Sequence, residues 1–124
     1  MHRTTARRGI STLAVLLGFA TQSAAGPADV VTAVARCQGE RCRFDVTVRH
    51  ADSGWDHYAD GYEVLSDDGE VLATRVLRHP HVDEQPFTRS LLAEIPANVE
   101  RVRIRAHDSV HGHGGRDQSL DLER

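Results

Sequence analysis

No lysine occurs among the 124 residues, and all 15 basic side chains are arginine, a habit of composition from which no function follows. A basic surplus is missing too. With residues 1–25 set aside as an export signal, 12 arginines face 18 carboxylates, a balance of −6 with neutral histidines. That excludes recognition of nucleic acid or of an anionic membrane through bulk charge. Cysteine is scarce: Cys37 and Cys42 are the whole supply, and they lack the Cys-x-x-Cys spacing of a redox pair. They bracket Gln38-Gly39-Glu40-Arg41 between runs that alternate apolar and polar residues. A hairpin turn clamped by a structural disulfide is therefore expected, contributing about 2 kcal/mol. Ser109 stands near Asp108 and His111, but no Gly-x-Ser-x-Gly elbow presents it, which argues against a serine hydrolase.

A long apolar run is confined to Ile10–Ala20, and it falls short of the roughly 20 residues that span a bilayer. It follows Arg3, Arg7 and Arg8 and precedes Ser23-Ala24-Ala25, the layout of a secretory signal. Residues 1–25 are expected to be a cleaved signal peptide and residues 26–124 a single domain, periplasmic or secreted. The Arg7-Arg8 pair hints at twin-arginine export, but Gly9-Ile10-Ser11 fits that signal poorly, so ordinary secretion is expected. No cysteine stands at the cleavage point, and no membrane anchor is expected.

The remainder reads as strands. Arg43-Phe44-Asp45-Val46-Thr47-Val48-Arg49 alternates without fault, placing Phe44, Val46 and Val48 inward. Asp29–Arg36 precedes it, Asp60–Ser66 and Glu70–Arg78 flank the turn Asp67-Asp68-Gly69, and Phe87–Ile95 follows. Pro96-Ala97-Asn98 leads to a sixth strand with Arg101, Arg103 and Arg105 outward, where pairing with carboxylates such as Glu63 is expected. A last strand carries Leu120 and Leu122. Seven short strands and no convincing helix predict an all-β, seven-stranded antiparallel sandwich of the immunoglobulin or fibronectin III kind.

The loops between these strands carry the chemistry. In such a sandwich successive connections alternate between two ends, so the second-to-third, fourth-to-fifth and sixth-to-seventh loops meet. That collects Trp55, Asp56, His57, His79, His81, Asp83, Glu84, His111 and His113, with His50 and His107 beside them, at one pole. Residues two apart in an extended segment share a face, about 6.5 Å apart. The pairs His79/His81 and His111/His113, with Glu84, are thus candidate ligands for Zn²⁺ or Cu²⁺. Trp55, His57, Tyr58, Asp83 and Arg89 are candidates for a surface that receives a ligand or partner. Arg89 is also placed to fork onto Glu84 or Asp83. Asp52, Asp56 and Asp60 lack the alternating ligand spacing of a calcium loop.

Gly54-Trp55-Asp56-His57-Tyr58-Ala59-Asp60, His79-Pro80-His81 and Glu84-Gln85-Pro86-Phe87-Thr88-Arg89 together resemble a functionally uncharacterised family of small exported bacterial proteins. That resemblance implies export and brings no substrate or catalytic residue with it. Ile95–Gly115 is similar to the sixth-strand, loop and seventh-strand region of fibronectin type III domains, which implies a fold and no activity.

Two functions follow as expectations. The first is an exported binding module whose histidine-rich end binds an envelope protein or a small ligand, through Zn²⁺ or Cu²⁺ if a metal is used. The second is a structural or accessory envelope domain without metal, its loop residues closing the sandwich by hydrogen bonds. An enzyme is not expected: a small metal hydrolase needs three ligands, an open position and a base such as Glu84, and a deep substrate pocket is hard to build in about 100 residues.

Overall fold

A computed structural model describes residues 26–124, and the expected signal peptide lies outside the described residues. Seven strands form two antiparallel sheets: β1 (Asp29–Gln38), β2 (Arg41–Arg49), β3 (Ala59–Ser66), β4 (Val71–Val76), β5 (Phe87–Glu94), β6 (Arg101–Asp108) and β7 (Gln118–Asp121). One sheet has the order β1-β2-β5 and the other β4-β3-β6-β7. No helix lies among the described residues, and the expected β-sandwich is the fold.

The alternation read in the sequence holds in three dimensions. Phe44, Val46 and Val48 of β2 and Val102, Ile104 and Ala106 of β6 are buried against Tyr62, Val64 and Phe87. Each of the Phe, Val and Ile side chains contributes about 1.5–3 kcal/mol by leaving water. Tyr62 is enclosed, and its hydroxyl donates to the Arg89 carbonyl, 2.8 Å away, tying β3 to β5 across the sandwich. Burial pushes its phenol pKa up. On the outer face of the second sheet the arginines meet carboxylates as expected, Arg105 with Glu63 at 3.1 Å and Arg101 with Asp121 at 3.1 Å.

One pole is closed by short turns. Cys37 and Cys42 pair across β1 and β2 and are disulfide-bonded, with Gly39 at φ 59° in the two-residue turn between the strands. The Ile95 and Ala97 amides donate to the carbonyl and carboxylate of Glu40, at 2.7 and 3.1 Å. The Arg124 guanidinium donates to the carbonyls of Gly39, Ile95, Pro96 and Val99. At the other end the connections between β2 and β3, β4 and β5, and β6 and β7 lie together. The first of them bonds to both of the others. The last also crosses the start of β1, where Gly115 passes so close to Ala28 that a Cβ on it would lie 1.9 Å from the Ala28 carbonyl oxygen.

Candidate functional site

The inward parity of β2 and β6 runs past their last apolar residues. Phe44, Val46 and Val48 are followed two positions later by His50. Val102, Ile104 and Ala106 are followed by Asp108. Both end up buried at the pole where the loops converge, although neither is apolar. Such groups demand hydrogen-bonding partners, because a buried unpaired polar atom costs about 1–3 kcal/mol.

His50 is held from two sides. Its backbone amide donates to Gln85 Oε1 at 3.0 Å, and its Nδ1 lies 2.5 Å from Asp52 Oδ1. Asp52, itself buried, also accepts from the Ala59 amide at 2.9 Å and the His81 amide at 2.8 Å. A carboxylate facing Nδ1 fixes the proton there and leaves the lone pair on Nε2. That Nε2 is buried and has no hydrogen-bond partner.

Asp108 is arranged to match. Its Oδ1 accepts from the Val110 and His111 amides at 2.9 and 2.7 Å and lies 3.1 Å from His57 Nε2. Its Oδ2 is buried without a partner. Burial alone would raise its pKa, but the His111 and Val110 amides and the nearby His50 and His111 imidazoles outweigh it, so the carboxyl sits below its usual value. His57 is placed by the tight turn Gly54–His57, where its amide donates to the Gly54 carbonyl at 3.2 Å. Its ring meets that of His50 edge-on, with centroids 4.7 Å apart. One ligand atom from each of His50, His57 and Asp108 lies within 4.8 Å of the others.

The other candidates named from the sequence divide into three places. His79 and His81 do share a side, with ring centroids 4.7 Å apart, and His81 stacks flat on Phe87 at 4.0 Å. His81 Nε2, however, lies 2.8 Å from Arg89 Nη2, and Arg89 also forks onto Glu84 at 3.3 and 3.5 Å and donates to the Thr88 carbonyl. Arg89 thus joins His81 to Glu84, with a guanidinium where a shared cation would have to sit. Its hydrogen bond holds the Glu84 carboxyl below its usual pKa. Asp83 is exposed.

His111 and His113 diverge. Asp108 and Gly112 exchange backbone hydrogen bonds, and Gly112 takes φ 70°, so the segment is a tight turn instead of an extended strand and the two rings leave on different sides. His111 faces Asp108 and His57; His113 faces Glu63 at 3.1 Å and His107. His79, His81, His111, His113 and Glu84 therefore do not form one ligand set, and the triad of His50, His57 and Asp108 is the sole such group among the described residues. Tyr58 packs edge-on against Trp55 at 5.6 Å, and Trp55 stands 66% exposed on the rim.

No protein-family model matches the chain. It is 40% identical over 97 residues to a Halomicrobium mukohataei protein named "Putative lipoprotein", a match that takes in 77% of this chain and 48% of that protein. The chain thus spans about half the length of the curated relative it matches. A crystal structure of a hypothetical protein from Pyrococcus horikoshii OT3 superposes with a TM-score of 0.54, over 79% of this chain and 90% of that one, at 12% identity. This is a likeness of fold alone.

The half of the pole around His81 makes stability depend on pH. His81 is 5% exposed. Burial, then the Arg89 charge and His79, push its pKa below the ordinary 6.5, against weaker opposition from Glu84 and Asp52. The folded state thus prefers the neutral ring. Its contribution is complete above the unfolded value and is lost as pH falls from there through the folded one. Between about pH 7.5 and 5 the urea midpoint of the wild type is expected to drop more than that of His81→Gln; parallel profiles would contradict this.

Proposed function

We propose that this protein is an exported, envelope-associated binding module whose histidine-rich pole holds a divalent transition-metal ion, Zn²⁺ or Cu²⁺, between His50, His57 and Asp108. The observation that carries the reading is the pair of buried, unpartnered atoms, His50 Nε2 and Asp108 Oδ2, in the same group as the His57 imidazole. Two neutral imidazoles and one carboxylate suit these metals. Bonds of about 2.0–2.2 Å set tetrahedral ligand atoms about 3.3–3.6 Å apart, so a group spread over as much as 4.8 Å must draw in by about an ångström on binding. Asp52, behind His50 at 2.5 Å, supplies the carboxylate that orients a metal-ligating histidine. Export is supported by the signal pattern of residues 1–25, by the disulfide and by the relative named as a lipoprotein.

The alternative, loops that merely close the sandwich, is favoured on the other side of the pole. There Arg89 joins His81 Nε2 to Glu84, leaving only His81 Nδ1 without a partner, and Gln85 bridges the His50 amide and the His81 carbonyl at 3.0 and 2.9 Å. The two accounts thus apply to two neighbouring groups of residues.

Calorimetric titration of the metal-stripped protein with Zn²⁺ and Cu²⁺ tests the reading. One-to-one binding with a micromolar or tighter Kd is expected, abolished in His50→Ala/His57→Ala and retained in His79→Ala/His81→Ala. Millimolar binding by the wild type, or loss in the second variant alone, would refute it.

A further inference from the structure

Resting on that metal reading, we infer that His111 is the fourth ligand and closes the site on its solvent side. The ion is then held by three imidazole nitrogens and one carboxylate oxygen, with no position left for a substrate. Exposure of the side chains rises in one direction across the group. Asp108 is 0% and His50 1% exposed, His57 16%, and His111 40%. Protein encloses the ion on the first two sides, so any remaining ligand must enter past His57. The group that stands there is His111, its ring centroid 4.9 Å from that of His57 and its Nδ1 3.3 Å from Asp108 Oδ1.

The backbone keeps it there. The His111 amide donates to the same Asp108 oxygen at 2.7 Å. The amides of Gly112 and Asp108 bond to each other's carbonyls at 3.1 and 3.0 Å. Ser109 is tied to the loop that carries His57, its Oγ accepting from the Tyr58 amide at 3.1 Å and its own amide donating to the Tyr58 carbonyl at 2.9 Å. The His111 backbone is therefore fixed beside Asp108; its nitrogen is not yet among the ligand atoms within 4.8 Å of one another and has to turn inward from its place 3.3 Å from Asp108 Oδ1 to reach the ion. Gly112 at φ 70° is the residue that lets so tight a turn form. His113, the other histidine of this loop, is committed to Glu63 at 3.1 Å and does not compete.

Closure decides the chemistry. A zinc site that hydrolyses keeps one position open for water, whereas a site with four protein ligands holds the ion without activating water. The arrangement belongs to a holding or sensing site, and the loop Ser109–Gly112 is the part that must rearrange for the ion to leave.

Co²⁺ in place of Zn²⁺ reads coordination directly. The wild type loaded with Co²⁺ is expected to show the intense visible bands of a four-coordinate ion, unaltered by azide. His111→Ala is expected to bind Co²⁺ about 100-fold more weakly and to show bands that azide shifts. A wild-type spectrum that responds to azide, or a His111→Ala protein with unchanged affinity and spectrum, would overturn the closure while leaving the three-ligand site standing. Failure of the wild type to take up Co²⁺ would overturn both.

Discussion

Asp52→Ala is expected to cost the fold roughly 3–5 kcal/mol, because three buried donors lose their acceptor at about 1–3 kcal/mol each. At about 4–8 °C per kcal/mol for a domain near 100 residues, the melting temperature should fall by about 15 °C or more. The size of the effect comes from what one carboxylate holds. Its oxygens accept from the Ala59 amide at 2.9 Å, where β3 begins, and from the His81 amide at 2.8 Å in the β4–β5 connection, and lie 2.5 Å from His50 Nδ1 at the end of β2. Alanine leaves three buried donors in three parts of the pole without an acceptor. The Asp52→Asn variant keeps one acceptor oxygen, so a smaller loss is expected. Thermal unfolding of the three proteins at neutral pH measures the series, and a loss below about 1 kcal/mol for Asp52→Ala would contradict this role.

Zn²⁺ is expected to raise the stability of the wild type by about 2.7 kcal/mol at a free concentration of 100 times Kd, and by about 4.1 kcal/mol at 1,000 times Kd. The melting temperature should rise by about 10–20 °C at the first concentration and return when the metal is chelated. His50 Nε2 and Asp108 Oδ2 are two of the buried atoms without partners at this pole, and they belong to residues whose ligand atoms already lie within 4.8 Å of one another, so a bound cation compensates for their burial. His50→Ala removes the most enclosed of the proposed imidazole ligands, so its midpoint should no longer respond to Zn²⁺. An equal shift in His50→Ala would place the binding elsewhere, most simply among the exposed histidines.

The strands were legible because their pattern is strong. Phe44, Val46 and Val48 on one side and Arg43, Asp45 and Thr47 on the other allow one assignment, and β2 takes it. The meeting of the three elaborate loops at one pole followed from the order of the strands, and the bonds from Asp52 to His81 and from Asp108 to His57 realise it. The pairings within the pole were less legible. His111 and His113 fit a shared face only while their segment is extended, and the turn closed by Asp108 and Gly112 separates them. His79 and His81 do stay together, but whether Arg89 would lie beside His81 depends on a rotamer that spacing does not reveal.

Asp108 is not among the ligands expected from the sequence, and His50 is expected only beside the cluster, yet the sequence carries a signal for both. Each continues the inward parity of its strand by one step beyond the last apolar side chain. A histidine or aspartate at an inward position is costly unless something compensates for it. Two such positions at the same end of a sandwich are better read as a pair, ahead of the more conspicuous His-x-His repeats in the loops.

X-ray absorption at the zinc edge of the Zn²⁺-loaded protein addresses the central claim most directly. The account predicts a first shell of nitrogen and oxygen neighbours at about 2.0–2.1 Å, with outer-shell scattering from at least two imidazoles that disappears in His50→Ala/His57→Ala. A shell without imidazole scattering, or one unchanged in that variant, would contradict it.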